Sequence, residues 1–131
     1  MKKAALLHGE LSQLVAMLGH GDALVIADAG LPVPPGVRCI DLAVTRGVPA
    51  FSDVLAAVLC EMQVEHALCA EELAARSPEL AARLPAWLGG VPLQTVSHES
   101  FKRRSRRARA IVRTGEFTPY ANVMLFAGVV F

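Results

Sequence analysis

The chain has 131 residues, a formal net charge of +1, 53% hydrophobic side chains and only 19% charged ones, against a usual charged share of about 25%. That balance excludes intrinsic disorder, and the length suits one domain over residues 1–131, enough to bury about two thirds of its surface without disulfide or metal staples. A small chain this apolar would leave hydrophobic patches in water as a monomer, so a homo-oligomer is expected.

Leu11, Leu14, Val15 and Leu18 recur at helical spacing and predict a helix over 11–18, stopped by Gly19. The unbroken apolar run 23–27, closed by Asp28-Ala29-Gly30-Leu31-Pro32, reads as a strand buried on both faces and then a loop. Residues 37–43 read as a second strand. Ser52 is placed to cap a helix with Val54, Leu55, Val58, Leu59 and Met62 inward, and Phe51 to staple it. A third strand is expected over 64–70. Ser77-Pro78-Glu79 opens a helix through Leu80, Leu84 and Trp87 that ends at Gly89-Gly90. A fourth strand spans 91–97, with Pro92 marking an edge or a strand start. Phe101, Ser105, Ala108 and Val112 then share one face of a helix running to Thr114-Gly115, and 123–131 forms a final buried strand after the loop 118–122. Helices alternating with apolar strands predict an α/β fold, a three-layer α/β/α arrangement around a mostly parallel or mixed sheet.

Cys39, Cys60 and Cys69 are odd in number and lack CxxC spacing, so buried free thiols are expected rather than disulfides or zinc. The amino-terminal apolar run is too short for a signal peptide, and residues 123–131 fall far below the ~20 needed for a membrane helix. A cytoplasmic protein with no membrane segment is the expectation.

Three polar residues stand where an α/β sheet ends. Asp28 follows the first strand, where open sheets bind ligands; it is equally suited to a turn before Gly30. His20 follows the first helix, whose carboxyl end stabilises an imidazolium that could serve as a general acid, or could simply satisfy free carbonyls. His98 lies between a strand and a helix start, where exposed amides favour a neutral ring able to bond a hydroxyl or cap the helix. His8 and His66 are assigned to structure. No two histidines have the spacing of a local metal motif, and no phosphate loop or serine elbow is present. Residues 102–113 hold seven of the 13 basic residues and no acid. They read as the solvated side of an amphipathic helix, with a phosphate-backbone track as the alternative that the lack of interleaved aromatics disfavours.

Several dispersed segments in the same order resemble the family of ribose pyranases and fucose mutarotases, the RbsD/FucU family. They are Leu18-Gly19-His20-Gly21-Asp22, Asp28 to Pro34, Asp41-Leu42-Ala43, Gly47-Val48-Pro49, Glu61 to Glu65, His98 to Lys102, Arg113 to Glu116, Pro119-Tyr120-Ala121-Asn122 and Ala127-Gly128-Val129. Gly30-Leu31-Pro32 and Pro119-Tyr120-Ala121-Asn122 resemble the ribose branch. The resemblance implies a cofactor-free isomerase that interconverts the pyranose and furanose forms of D-ribose, assembled as a decamer of two pentameric rings with sites at subunit contacts. Carried over by position, His20 is the implied proton donor, Asp28 and His98 are sugar-binding, and Tyr120, Ala121 and Asn122 belong to a segment lent to a neighbouring site. Mutarotation of another monosaccharide such as fucose, or a non-catalytic sugar-binding or nucleic-acid-binding regulator, are the alternatives. The density of arginine over 103–109 and His8 depart from the family's pattern. A straight strand over 23–27 would also hold His20 about 16 Å from Asp28, so either the strand is shorter or sites are shared between subunits.

Overall fold

The computed structural model describes all 131 residues. In chain order the elements are α1 (Gly9–Met17), β1 (Ala23–Ala27), β2 (Arg38–Asp41), α2 (Phe51–Leu59), β3 (Val64–Ala70), α3 (Glu72–Arg76), α4 (Pro78–Trp87), β4 (Leu93–Val96), α5 (His98–Ser105), β5 (Ala110–Arg113) and β6 (Val123–Ala127). The six strands form one sheet in the order β2-β5-β1-β6-β3-β4. Every neighbouring pair is parallel except the two that involve β6, so β6 alone runs backwards at the centre of the sheet.

Alternation along the strands sends side chains to two faces of unequal cover. Leu24 and Ile26 of β1, Ala110 and Val112 of β5, and Val123 and Leu125 of β6 meet α1, α2, α3 and α4 in a core of 22 buried residues. Val25, Ile111 and Met124 point the other way into a core of nine, closed by Phe101 of α5 and by Leu31. The three-layer α/β/α architecture with a mixed sheet is therefore present, with one helix on its thinner side.

β1 and β3 occupy the predicted residues. The largest departure lies at 101–112, where the expected helix stops at Ser105 and Ala110–Arg113 becomes β5, a strand inserted between β2 and β1. Ala108 and Val112 fit a helical stripe, but Ala110, Ile111 and Val112 are all buried to 0% exposure, which a strand with both faces covered achieves and a surface helix does not. The basic run is thus split. Lys102, Arg103 and Arg104 close α5, Arg106 and Arg107 lie in the turn after it, and Arg109 precedes β5 while Arg113 ends it, within reach of Asp22 and Asp41 respectively.

Other differences are smaller. α2 begins at Phe51 with Ala50 at the cap position, so Ser52 is inside the helix and caps nothing; Phe51 itself is buried and lies 6.3 Å from the ring of Trp87. Ser77 does precede α4, yet its hydroxyl donates to the Pro119 carbonyl at 2.9 Å instead of capping. The second and fourth strands are shorter than expected, α3 was not anticipated, and β6 ends at Ala127, leaving residues 128–131 outside the sheet. His8 accepts the Leu11 amide through Nδ1 at 3.2 Å and is the N-cap of α1, while His66 stacks on Phe126 at 4.2 Å; both are structural, as expected.

The three cysteines are free. Burial pushes the thiols of Cys39 and Cys69 above their ordinary range, more than offsetting the Arg113 charge near Cys39. Because the thiolate is the nucleophile, alkylation of the native protein near neutral pH should label exposed Cys60 first and leave Cys69 unmodified until the chain unfolds. Mass spectrometry of partially labelled protein checks the order.

Candidate active site

Five parallel strands place their carboxyl ends along one edge of the sheet, and the reversed β6 brings its amino end to the same edge. Asp28 leaves β1 there, His98 opens α5 just beyond β4, and Asn122 immediately precedes β6. A cavity of about 270 Å³ is lined by Asp28, Gly30, Leu31, Pro32, Arg76, His98, Pro119, Tyr120 and Asn122. A second depression of about 360 Å³ shares Asp28, Gly30 and Pro119 with it.

The cavity floor is held by a reciprocal pair. The Asp28 amide donates to Asn122 Oδ1 and Asn122 Nδ2 donates back to Asp28 Oδ2, each at 2.9 Å. The Gly30 amide donates to the other carboxylate oxygen at 2.9 Å, closing the turn that the sequence suggested. Asn122 is 1% exposed, so losing either partner would strand a buried amide. The turn reading and the ligand reading of Asp28 are compatible: its backbone and side chain are fixed by the turn while the carboxylate still borders the cavity.

His98 is fixed from behind. Its amide donates to the Glu72 carboxylate of α3 at 2.9 and 3.1 Å, Ser97 caps the helix through the Ser100 amide, and its ring meets Tyr120 edge-on at 4.9 Å between centroids. Its Nδ1 is buried without a protein partner, while the residue as a whole lines the cavity. Tyr120 holds φ at +64°, a left-handed conformation uncommon for a side chain of its size, and its carbonyl accepts the Asn122 amide at 2.7 Å. That turn sets Tyr120 and Asn122 on the same cavity, while the side chain of Ala121 between them is wholly buried. Arg76, at the end of α3, also lines the cavity; the sequence reading missed it because the short α3 carried no periodic signal of its own.

His20 is elsewhere. It stands at the opposite edge, before the amino end of β1, and the full strand Ala23–Ala27 separates it from Asp28 by about 16 Å. It sits in a tight turn in which the Asp22 amide donates to the Gly19 carbonyl, the Gly19 amide donates back to Asp22 Oδ2, and Gly21 takes φ +80° as the third position of a type II turn requires. Its Nε2 lies 2.8 Å from Glu65 Oε2, with both side chains more than half exposed. The structure therefore brings Asp28, His98, Tyr120 and Asn122 together within one chain and sets His20 apart from them. No group of three or more His, Cys, Asp or Glu side chains is gathered to hold a metal ion, and no helix is long and apolar enough to cross a membrane.

A carboxylate, an amide, an imidazole and a phenol thus border one small cavity at the strand ends of an α/β sheet, the form of a small-molecule site. The chain belongs to the RbsD/FucU transport protein family, whose sequence pattern matches residues 1–130. It is 62% identical to the D-ribose pyranase of Paracidovorax citrulli over 133 residues, covering the whole of both chains, and 59% identical, again over both full lengths, to that of Symbiobacterium thermophilum. Among solved structures, Bacillus subtilis RbsD complexed with D-ribose superposes with a TM-score of 0.96 at 48% identity and full coverage of both chains.

Proposed function

We propose that the protein is a D-ribose pyranase acting in the cytoplasm, without a cofactor, as a ring-shaped homo-oligomer, with a decamer of two pentameric rings as the expected form. The observation that carries this reading is the gathering of Asp28, His98, Tyr120 and Asn122 on one pentose-sized cavity, in a chain with full-length identity to enzymes of that name.

Pyranose to furanose conversion breaks and remakes only the bond between the hemiacetal carbon and the ring oxygen, so acid and base catalysis with correct orientation suffices. In this mechanism His20 of one subunit protonates the ring oxygen of ribose held in the cavity of its neighbour, while a base accepts the proton of the anomeric hydroxyl. The bonding pair stays on the former ring oxygen, now the 5-hydroxyl. The open aldehyde turns, the 4-hydroxyl adds to it, and the proton transfers run in reverse. Asp28 and Asn122 hold hydroxyls from the floor, His98 bonds a hydroxyl from the cavity wall, and Tyr120 walls the side.

Exposed apolar residues flank both half-sites, as subunit contacts would require. Met17 ends α1 three residues before His20, Val130 and Phe131 follow β6 at that same edge, and Phe117 stands beside the cavity; they are 61, 87, 100 and 59% exposed. Magnetisation-transfer NMR on D-ribose tests the function. Pyranose–furanose exchange should rise in proportion to added protein, and exchange no faster than the protein-free blank would overturn the reading.

A further inference from the structure

We infer that Glu65 is a positioning residue for catalysis, one that fixes His20 so that its Nδ1, not its Nε2, is the nitrogen that exchanges protons with the sugar. The inference deepens the reading of His20 as the acid and rests on it. An ionised carboxylate can only accept hydrogen bonds, so at 2.8 Å from Glu65 Oε2 the Nε2 of His20 must be the donor. That occupies Nε2 and leaves Nδ1 as the atom free to meet a substrate.

Three further observations indicate that this contact is built into the fold. First, Glu65 sits at a break in the ladder between β3 and β6: Val64 pairs with Ala127 and His66 with Phe126, so Glu65 is an extra residue on β3 with no partner on β6. Such a bulge re-aims a side chain, and here it aims one at His20. Second, the residue that follows β6 makes room for it. A Cβ on Gly128 would lie 3.2 Å from Glu65 Cβ and 3.4 Å from its amide nitrogen, and Gly128 is tied in place by donating to the Gln63 carbonyl at 2.9 Å. Third, the His20 turn is anchored on the same strand end, because the Gly21 amide donates to the Ala127 carbonyl and the Ala127 amide to the Asp22 carbonyl, both at 2.8 Å. Residues 127–128 thus carry His20 on one side and Glu65 on the other. The pair is positioned as the second and third members of a catalytic triad are, a carboxylate orienting an imidazole through one nitrogen so that the other works.

The test uses the full-length assembled protein and compares Glu65→Gln, Gly128→Ala and His20→Ala. Glu65→Gln should lower kcat for ribose exchange by at least ~10-fold with the dissociation constant for ribose changed less than ~2-fold. In nitrogen-15 spectra the neutral His20 ring should be the Nε2–H tautomer in the parent protein and lose that preference in Glu65→Gln. Gly128→Ala, which leaves the carboxylate chemically intact but crowds the bulge, should move both readouts the same way. A parent-like kcat in Glu65→Gln, or a lowered kcat with the tautomer of His20 unchanged, would overturn the assignment of Glu65. If His20→Ala itself exchanged ribose at the parent rate, the underlying reading of the site would fall as well; slow His20→Ala beside fast Glu65→Gln would remove only the present inference.

Discussion

Ribose exchange should fall by about 10² to 10⁴ in His20→Ala, the range expected for loss of a general acid, while ribose still binds. Asp28→Asn should act differently. The new amide cannot accept from both Gly30 and Asn122 as the carboxylate does, so two donors oppose each other at the cavity floor. Affinity is then expected to drop by ~10 to 100-fold, the worth of a charge-assisted hydrogen bond of about 1.5 to 3 kcal/mol. Co-refolding the two variants in equal amounts gives a larger and more telling effect. If each site takes His20 from one chain and Asp28 from the next across a head-to-tail contact, about a quarter of the sites in a mixed ring combine two intact halves and activity returns. Assayed at ribose well below the weakened dissociation constant of Asp28→Asn, where both variants alone are slow, a site confined to one chain would recover nothing, since every chain carries one defect. Light scattering on the mixture should report one closed oligomer, and a stable monomer at micromolar concentration would remove the basis for sharing.

Gly115→Ala should be the most destabilising single methyl that can be added. A Cβ at this position would sit 2.5 Å from the Thr45 carbonyl oxygen and from both the amide nitrogen and the carbonyl oxygen of Val48, all backbone atoms that cannot rotate aside. The Gly47 amide donates to the Gly115 carbonyl at 2.6 Å and the Gly115 amide to the Pro49 carbonyl at 2.9 Å, so pushing the 44–49 loop away also breaks the contacts that hold it. Overpacking and two strained hydrogen bonds together should cost about 2 to 4 kcal/mol, lowering the melting temperature by about 10 °C at fixed protein concentration. A melting temperature within ~2 °C of the parent would mean that the loop relocates freely. Because Thr114 and Glu116 flank this glycine and the Glu116 carbonyl accepts the Ala29 amide at 2.8 Å, the same variant should loosen the Asp28 turn.

The sheet and the cavity were legible from the sequence to different depths. β1 is apolar at every position and β3 at all but Glu65 and His66, and such runs announce themselves by composition. β5 did not, because Phe101, Ser105, Ala108 and Val112 satisfy a helical spacing by coincidence, and only the pairing of Ile111 with Val25 and Cys39 decides for a strand. Tertiary pairing overrides local periodicity there, and no local signal carries it. For the site, Asp28 and His98 were readable as residues at strand and helix ends, whereas Tyr120 and Asn122 came through family resemblance. Their local signal was a proline-containing loop; what places them is the left-handed turn at Tyr120. Glu65 was visible only as part of a matched segment. Its relation to His20 joins residues 45 positions apart, and nothing in either neighbourhood predicts it.

The reversed strand β6 has one more consequence. Asn122 precedes it in the cavity, and Ala127 ends it where its carbonyl and amide hold the His20 turn, so a single five-residue strand spans from one half-site of the chain to the other. In a closed ring of shared sites, each subunit is then a fixed strut between two successive reaction centres. The centre-to-centre repeat, about 16 Å along the strand direction, belongs to the sheet and not to the contact between subunits. Changes at the contact can decide whether a site assembles, but they leave the spacing between sites untouched.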